Sequence, residues 1–574
     1  MFTRTWSTSA REYDVAVDRD VTVKMADGVQ LSGDIYRPVG PGPFPVILGV
    51  SPYNKHLQSG PMKPIGFTPK RGYMESGDPN YFVRRGYVHA YFNVRGTGYS
   101  EGFFQFNGPR EVEDIVELIA WLAGQEWSDG NVGMFGVSYF AKLAKAVATL
   151  GAPELKAIFA PHSANDWYRH VWYHGGILTA RFISHWRYSA HRLRYRSILR
   201  DQLGDDEFEE ALAAARQDDE LMVVPALREA LMDPGPDANA LLVDILLRPL
   251  DGPWWTERYV DGEPGQVPAY LGSCWGNYAL HLPGAFDAWR AWRGPKKLMI
   301  GPGVYLDRPL YQLQGEAVRW FDHWLKGVDT GVMDEPPIRC FIPPQGEWRA
   351  LEDWPAPEAR WMEFYLHEKG ILSEREHWPN EGFDNFDESA FEHGELVYET
   401  PPLVEPTELL GPSVLTLYIS STEPEAFIHA ALLVIDSAGN ERELTRGWLR
   451  ASQRKVDEEA STPWEPVLAH TDREPLIPGE IYEVKIPIVP TARLIGAGER
   501  IALRIKGADD EPAEGALGGL ARDHLNVARP VRVTVYRNDE YPSRLDLPIT
   551  RGNIIGTFFS GGETEFAVQT ESQR

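Results

Sequence analysis

The chain reads as α/β: a parallel sheet covered by helices, interrupted by a helical insertion and followed by an all-β sandwich. Three observations predict this. Between residue 15 and about residue 160, short apolar runs alternate with helix-like stretches. From about 165 to about 260 that alternation gives way to aromatic, basic and charged helical sequence. From about 340 onward, short alternating runs punctuated by Pro and Gly take over.

The elements follow in order. Residues 45–50 and 87–94 read as buried strands, and Ile115, Leu118, Ile119 and Leu122 place one apolar face on the helix after them. Residues 132–136 form a strand entering a second helix at 140–150, and 155–160 return as a strand. Residues 167–200 are aromatic and basic, and 205–232 look helical. Strand character resumes at 267–272 and 297–300, with helices at 284–293 and 316–326. Residues 414–419 and 500–505 alternate as sandwich strands, and Pro336-Pro337 with Pro343-Pro344-Gln345-Gly346 read as the linker before them. The expected division is a discontinuous sheet domain at 1–160 and 262–338, a cap at 161–261, and a β-domain at 339–574.

Composition limits the partners. There are 57 Lys and Arg against 83 Asp and Glu, a net charge of −26, which repels nucleic acid and anionic lipid. No run of about 18 apolar residues occurs to span a membrane. Cys274 and Cys340 are too few for a disulfide framework or a thiolate metal centre, and residues 1–38 lack a signal-peptide apolar core, so a reduced, cytoplasmic protein is expected. The 19 Trp, 24 Tyr and 24 Phe favour large cores and apolar pockets.

Gly133-Met134-Phe135-Gly136-Val137-Ser138-Tyr139 carries the chemistry. An apolar strand, a Gly-x-Ser turn and an Ala-rich helix are what a nucleophile elbow needs. The turn pushes the hydroxyl out of the sheet, and the helix start favours developing negative charge. The second glycine of Gly-x-Ser-x-Gly is absent, since position 140 is Phe. The plain alternative is a serine capping an ordinary helix.

Several blocks resemble those of the cocaine esterase / X-prolyl dipeptidyl peptidase group (CocE/NonD-type) of serine α/β-hydrolases. They are Ser51-Pro52-Tyr53-Asn54-Lys55, Arg85-Gly86-Tyr87, the run from Val94 through Arg95-Gly96-Thr97-Gly98 to Gly102, and Trp127 to Gly133. Trp320 to Gly327 and Leu444 to Ser452 complete the set. The resemblance implies an α/β-hydrolase domain, a helical cap and a C-terminal jelly-roll. It implies acyl transfer to Ser138, with the Tyr53 hydroxyl and the Tyr139 N–H as oxyanion donors.

Two triad positions depart from that pattern. Where the family has Gly-Gly-Trp-x-Asp, this chain has Ser273-Cys274-Trp275-Gly276-Asn277. Where it has Gly-Pro-Trp-x-His, this chain has Gly301-Pro302-Gly303-Val304-Tyr305. Asn277 and Tyr305 therefore stand for the aspartate and the histidine. A phenol with an ordinary pKa near 10 is no base at neutral pH, so Ser138 needs another acceptor. His281, His162, Lys142 and Asp307 are the alternatives, each of which has an ordinary structural reading too.

Trp167, Trp172 and Trp275, with Tyr168, Tyr173, Trp186 and Tyr188, are candidate pocket residues that packing explains equally well. His170 and His174 lie four apart but lack a helix to present them as metal ligands. No metal and no cofactor is expected, and Arg95-Gly96-Thr97-Gly98 lacks the lysine of a phosphate loop. The expected partner is a small acyl or carbonyl substrate, and self-association through the β-domain is compatible with the family architecture. The rival reading is a pseudo-hydrolase that binds carbonyl ligands, or a lyase or isomerase with Tyr305 as acid.

Overall fold

The computed structural model describes residues 8–58, 73–187, 192–260, 267–302, 309–376, 382–389, 393–509 and 524–552. The first sheet has ten strands. They are β1 (Asp14–Lys24), β2 (Gln30–Val39), β3 (Phe44–Ser51), β4 (Val88–Asn93) and β5 (Ser128–Phe135). After these come β6 (Leu155–Pro161), β7 (Ala269–Cys274), β8 (Lys296–Gly301), β9 (Ile338–Ile342) and β10 (Glu347–Leu351). The spatial order is β1-β2-β4-β3-β5-β6-β7-β8-β9-β10. From β4 to β9 every neighbouring pair is parallel.

Side-chain alternation builds the layers. Val46, Leu48, Met134 and Ile158 face one side and share a core with α1 (Pro109–Ala123) and α2 (Tyr139–Leu150) through Leu118, Ile119, Leu143 and Val147. Ile47, Phe135, Ala157 and Phe159 face the other side and meet Val318, Phe321 and Leu325 of the helix Pro309–Lys326. Every residue of β3 is buried, as a central strand covered on both faces requires.

The segment between β6 and β7 holds a two-stranded hairpin, Tyr173–His174 with Ile177–Leu178. It also holds helices including Ala180–Trp186, Asp205–Ala215, Pro225–Met232 and Asp237–Leu246. The charged stretch after residue 205 is thus several short helices rather than one.

The C-terminal sheet has eleven strands, and the strand Thr407–Ser421 also pairs with Arg544–Arg551, which folds the sheet back on itself. This is the expected jelly-roll. One sequence expectation changes: residues 338–342 and 347–351 are strands β9 and β10, and Pro343-Pro344-Gln345-Gly346 is the turn joining them rather than a linker. The hydrogen-bonded edge of β8 captures β9, so the first sheet continues past residue 338. Among the described residues no helix is long and apolar enough to cross a membrane. Both cysteines are buried and unpaired.

Candidate active site

In the sheet β4 lies on one side of β3 and β5 on the other, so the connections leave in opposite directions at β3 while the strands stay parallel. Open α/β sheets bind ligands outside the carboxyl ends of strands at such a switch point. Tyr53 leaves the end of β3 there, and Ser138 leaves the end of β5.

The turn at Ser138 is tight. A Cβ on Gly136 would lie 2.4 Å from the Phe140 Cβ and 2.9 Å from the Glu75 carbonyl oxygen. Ser138 itself sits at φ 60° and ψ −125°, a conformation that L residues avoid and that functional sites hold under strain. It is half-exposed between buried neighbours. Its N–H donates to the His162 carbonyl at 2.6 Å, which ties the elbow to the end of β6. Tyr139 is the first residue of α2, so its N–H has no intrahelical acceptor.

The Tyr53 hydroxyl lies within electrostatic reach of the Ser138 side chain and accepts the Trp186 indole N–H at 3.0 Å. An indole only donates, so the phenol keeps its own proton for Ser138 or for a bound oxygen. Burial, with Glu75 adding to it, pushes this phenol well above its ordinary pKa and keeps it a donor. Trp186 comes from the cap, and only the folded chain brings it to Tyr53.

The Tyr139 side chain lies behind the elbow. Its hydroxyl donates to Glu111 at 2.9 Å and accepts the Asn107 N–H at 2.8 Å. Burial pushes the Glu111 carboxyl up to about 8, against the two hydrogen bonds from Tyr139 and Asn107. Sequence reading missed Glu111, because an acid in a helix's first turn looks like a dipole-matching surface residue. The folded state holds this proton where the unfolded chain has released it, so stability falls as pH rises from about 4.5 to about 8. Glu111→Gln is expected to remove a slope of up to ~1.4 kcal/mol per pH unit in that window. Urea unfolding of parent and variant at pH 5 and pH 7 measures it; parallel slopes would refute the protonated carboxyl.

The candidate bases occupy different places. His162 is buried at φ 53°, and burial lowers its imidazole to about 4. His281 precedes the helix Leu282–Ala291, donates its N–H to the Asn277 carbonyl at 3.1 Å, and is held neutral by burial and by the neighbouring His162 and Lys145. The Lys142 ammonium is spent on the Asn165 carbonyl, and Lys145 beside it binds the Asn165 side chain and the Ser163 carbonyl. The two lysines clamp the loop after β6, so the structure gives Lys142 a structural role instead of a base's. Asn277 is 1% exposed and its carboxamide finds no hydrogen-bond partner among the described residues. Tyr305, Asp307 and Tyr188 lie outside the described residues.

Of the expected pocket residues, Trp167 and Trp172 stack 5.9 Å apart and flank Phe106, which also meets Trp186 at 5.6 Å. Trp186 in turn stacks on Tyr139, so this aromatic wall adjoins the elbow. Trp275 does not join it: its indole donates to the Phe341 carbonyl at 2.7 Å, and its ring packs with Phe286 and Trp354. It is a core ring between β7 and β9.

A strained serine at the switch point of a parallel sheet, under a helical cap, defines an α/β-hydrolase. The X-Pro dipeptidyl-peptidase (S15 family) model matches residues 27–306, and the X-Pro dipeptidyl-peptidase C-terminal non-catalytic domain model matches 330–546. The chain belongs to the cocaine esterase / X-Pro dipeptidyl-peptidase (CocE/NonD-type) family of hydrolases. It is 26% identical over 600 residues to a cocaine esterase of a Rhodococcus species, with 93% of this chain and 99% of that one covered. It is also similar to a crystal structure of a CocE/NonD family hydrolase from Staphylococcus aureus, at 25% identity and TM-score 0.76 over 93% of each chain. An α-amino-acid ester hydrolase shares the fold at TM-score 0.72 and 17% identity, covering 95% of this chain and 98% of its own.

Proposed function

We propose that this protein hydrolyses an ester or amide of a small apolar or aromatic acyl compound in the cytoplasm, with Ser138 as nucleophile. Ser138 Oγ adds to the carbonyl carbon, the leaving group departs with a proton, and water then releases the acid. The Tyr53 hydroxyl and the Tyr139 N–H receive the oxyanion, and the wall of Trp167, Trp172 and Phe106 receives the apolar group. The observation that carries this reading is the protonated Tyr53 hydroxyl beside a serine held in strained backbone.

In this reading the site departs from the family pattern in the base: Asn277 and Tyr305 take the aspartate and histidine positions, and the neutral imidazoles of His162 and His281 are the candidate substitutes. An imidazole lowered to about 4 accepts a proton weakly, so turnover is expected to be slow. Tyr53→Phe is expected to lower kcat for a p-nitrophenyl ester by ~10²–10³, and to cost about 1–3 kcal/mol of stability by leaving the Trp186 N–H without its acceptor. An unchanged kcat would remove Tyr53 from the oxyanion hole.

The Asn277 carboxamide, which has no hydrogen-bond partner among the described residues, favours a second reading, in which the pocket binds a carbonyl ligand without covalent turnover. A parent enzyme that turns over p-nitrophenyl esters at ordinary rates excludes it.

A further inference from the structure

A second polar cluster is buried where the β-domain meets the cap, and it shares no residue with the acyl-transfer site. His429, on the strand Phe427–Ile435, and His524 both turn Nδ1 toward Asp509, 3.1 Å from Oδ1 and 2.6 Å from Oδ2 respectively. One ligand atom from each of the three side chains lies within 4.8 Å of the others. The two histidines are 3% and 5% exposed.

The protons around His524 do not close without a further cation. His524 Nε2 is 2.8 Å from Nδ1 of His174, and His174 Nε2 is 2.9 Å from the His170 carbonyl oxygen. A carbonyl only accepts, so His174 carries its proton on Nε2. With that proton on Nε2, His174 presents Nδ1 to His524 as the acceptor. His524 must then donate from Nε2. As a neutral ring it has no proton left for Nδ1, which nevertheless faces a carboxylate at 2.6 Å. Arg446 reaches Asp509 Oδ1 at 2.8 Å, but its charge is also matched by Glu443, on which it closes a two-pronged pair at 2.9 and 2.6 Å.

We infer that His429, Asp509 and His524 form a binding site for a divalent transition-metal ion of the zinc class. Two imidazole nitrogens and one carboxylate are a zinc donor set, and bonds of ~2.0–2.2 Å at tetrahedral angles place neighbouring ligand atoms roughly 3.3–3.6 Å apart, so an entering ion would open the 3.1 Å and 2.6 Å spacings here by up to ~1 Å. With the ion on Nδ1, His524 is a neutral ring whose single proton sits on Nε2, and His174 accepts it. That is the outer hydrogen bond that orients a metal-bound histidine. The ion would pin Asp509 and His524 to the strand of His429 and, through His174, to the cap hairpin. Around it the packing is close: the His174 ring stacks on Trp448 at 4.7 Å, and a Cβ on Gly175 would lie 1.9 Å from the Trp448 carbonyl oxygen.

The test uses the full chain, stripped with a chelator and dialysed. Zn²⁺ is titrated in, bound metal is counted by elemental analysis, and melting temperature is followed alongside. The expected result is about one tightly held ion per chain and a higher melting temperature when loaded. His429→Gln and His524→Gln are each expected to weaken binding at least ~10²-fold. Co²⁺ on the unmodified chain supplies a readout that needs no variant: visible d–d absorption of a nitrogen- and oxygen-ligated site. A parent chain that takes up neither ion overturns the proposal, and so does uptake equal in parent and both variants.

Discussion

Ser138→Ala abolishes covalent capture of a fluorophosphonate probe and lowers kcat/KM for a p-nitrophenyl ester to the level of the oxyanion cradle alone. The reason is local. Ser138 is the residue the elbow strains to φ 60° and leaves partly exposed, and its side chain lies beside the protonated Tyr53 hydroxyl. In fully equipped serine hydrolases, loss of the nucleophile costs on the order of 10⁶ in kcat and leaves ~10³–10⁴ of residual catalysis over water. Here the parent begins lower because its base is weak, so the expected loss is about 10²–10³ on esters. The labelled peptide, identified by mass spectrometry, must contain Ser138. Labelling of another residue, or undiminished turnover by the alanine variant, would falsify the assignment. Removing the hydroxyl also relieves no strain, since alanine is equally disfavoured at that φ, so stability should change little.

The second large effect runs the other way. Asn277→Asp combined with Tyr305→His is expected to raise p-nitrophenyl ester turnover by ~10²–10⁴, the usual contribution of a positioned general base. The two changes belong together. A histidine alone has no carboxylate to set its tautomer and stabilise its imidazolium, and an aspartate alone adds a buried charge beside no cation. Asn277 is 1% exposed, so the single Asn277→Asp variant should be less stable than the pair. Steady-state kinetics and urea unfolding on all three variants separate the effects. Should the pair gain nothing while Ser138 still labels, the base of this enzyme lies elsewhere, with His162 and His281 next to be replaced.

Much of the frame was readable from residues close together in the chain. Strands β3 and β5, the amphipathic face of α1 and the Gly-x-Ser turn each follow from periodicity or backbone restriction over fewer than a dozen residues. The alternating β-domain strands were legible for the same reason. The hairpin at 343–346 was misread, because two prolines signal a break in regular structure without saying whether the chain departs or turns back. By sequence Lys142 is a candidate base because a buried lysine can lose its proton, although its spacing from Ser138 is not the usual one; in the folded chain its amino group donates to the Asn165 carbonyl.

The sequence by itself determined the class of fold and singled out Ser138 as the proposed nucleophile and Asn277 and Tyr305 as the proposed triad replacements, since these readings depend on local patterns and on identities at single sites. Only the tertiary structure decided what surrounds them. Trp186 reaches Tyr53 across 133 residues, Glu111 holds Tyr139 across 28, and His174 meets His524 across 350. Such contacts form because burial forces polar atoms to find partners wherever the packed chain places them, and no local pattern records which partner that will be.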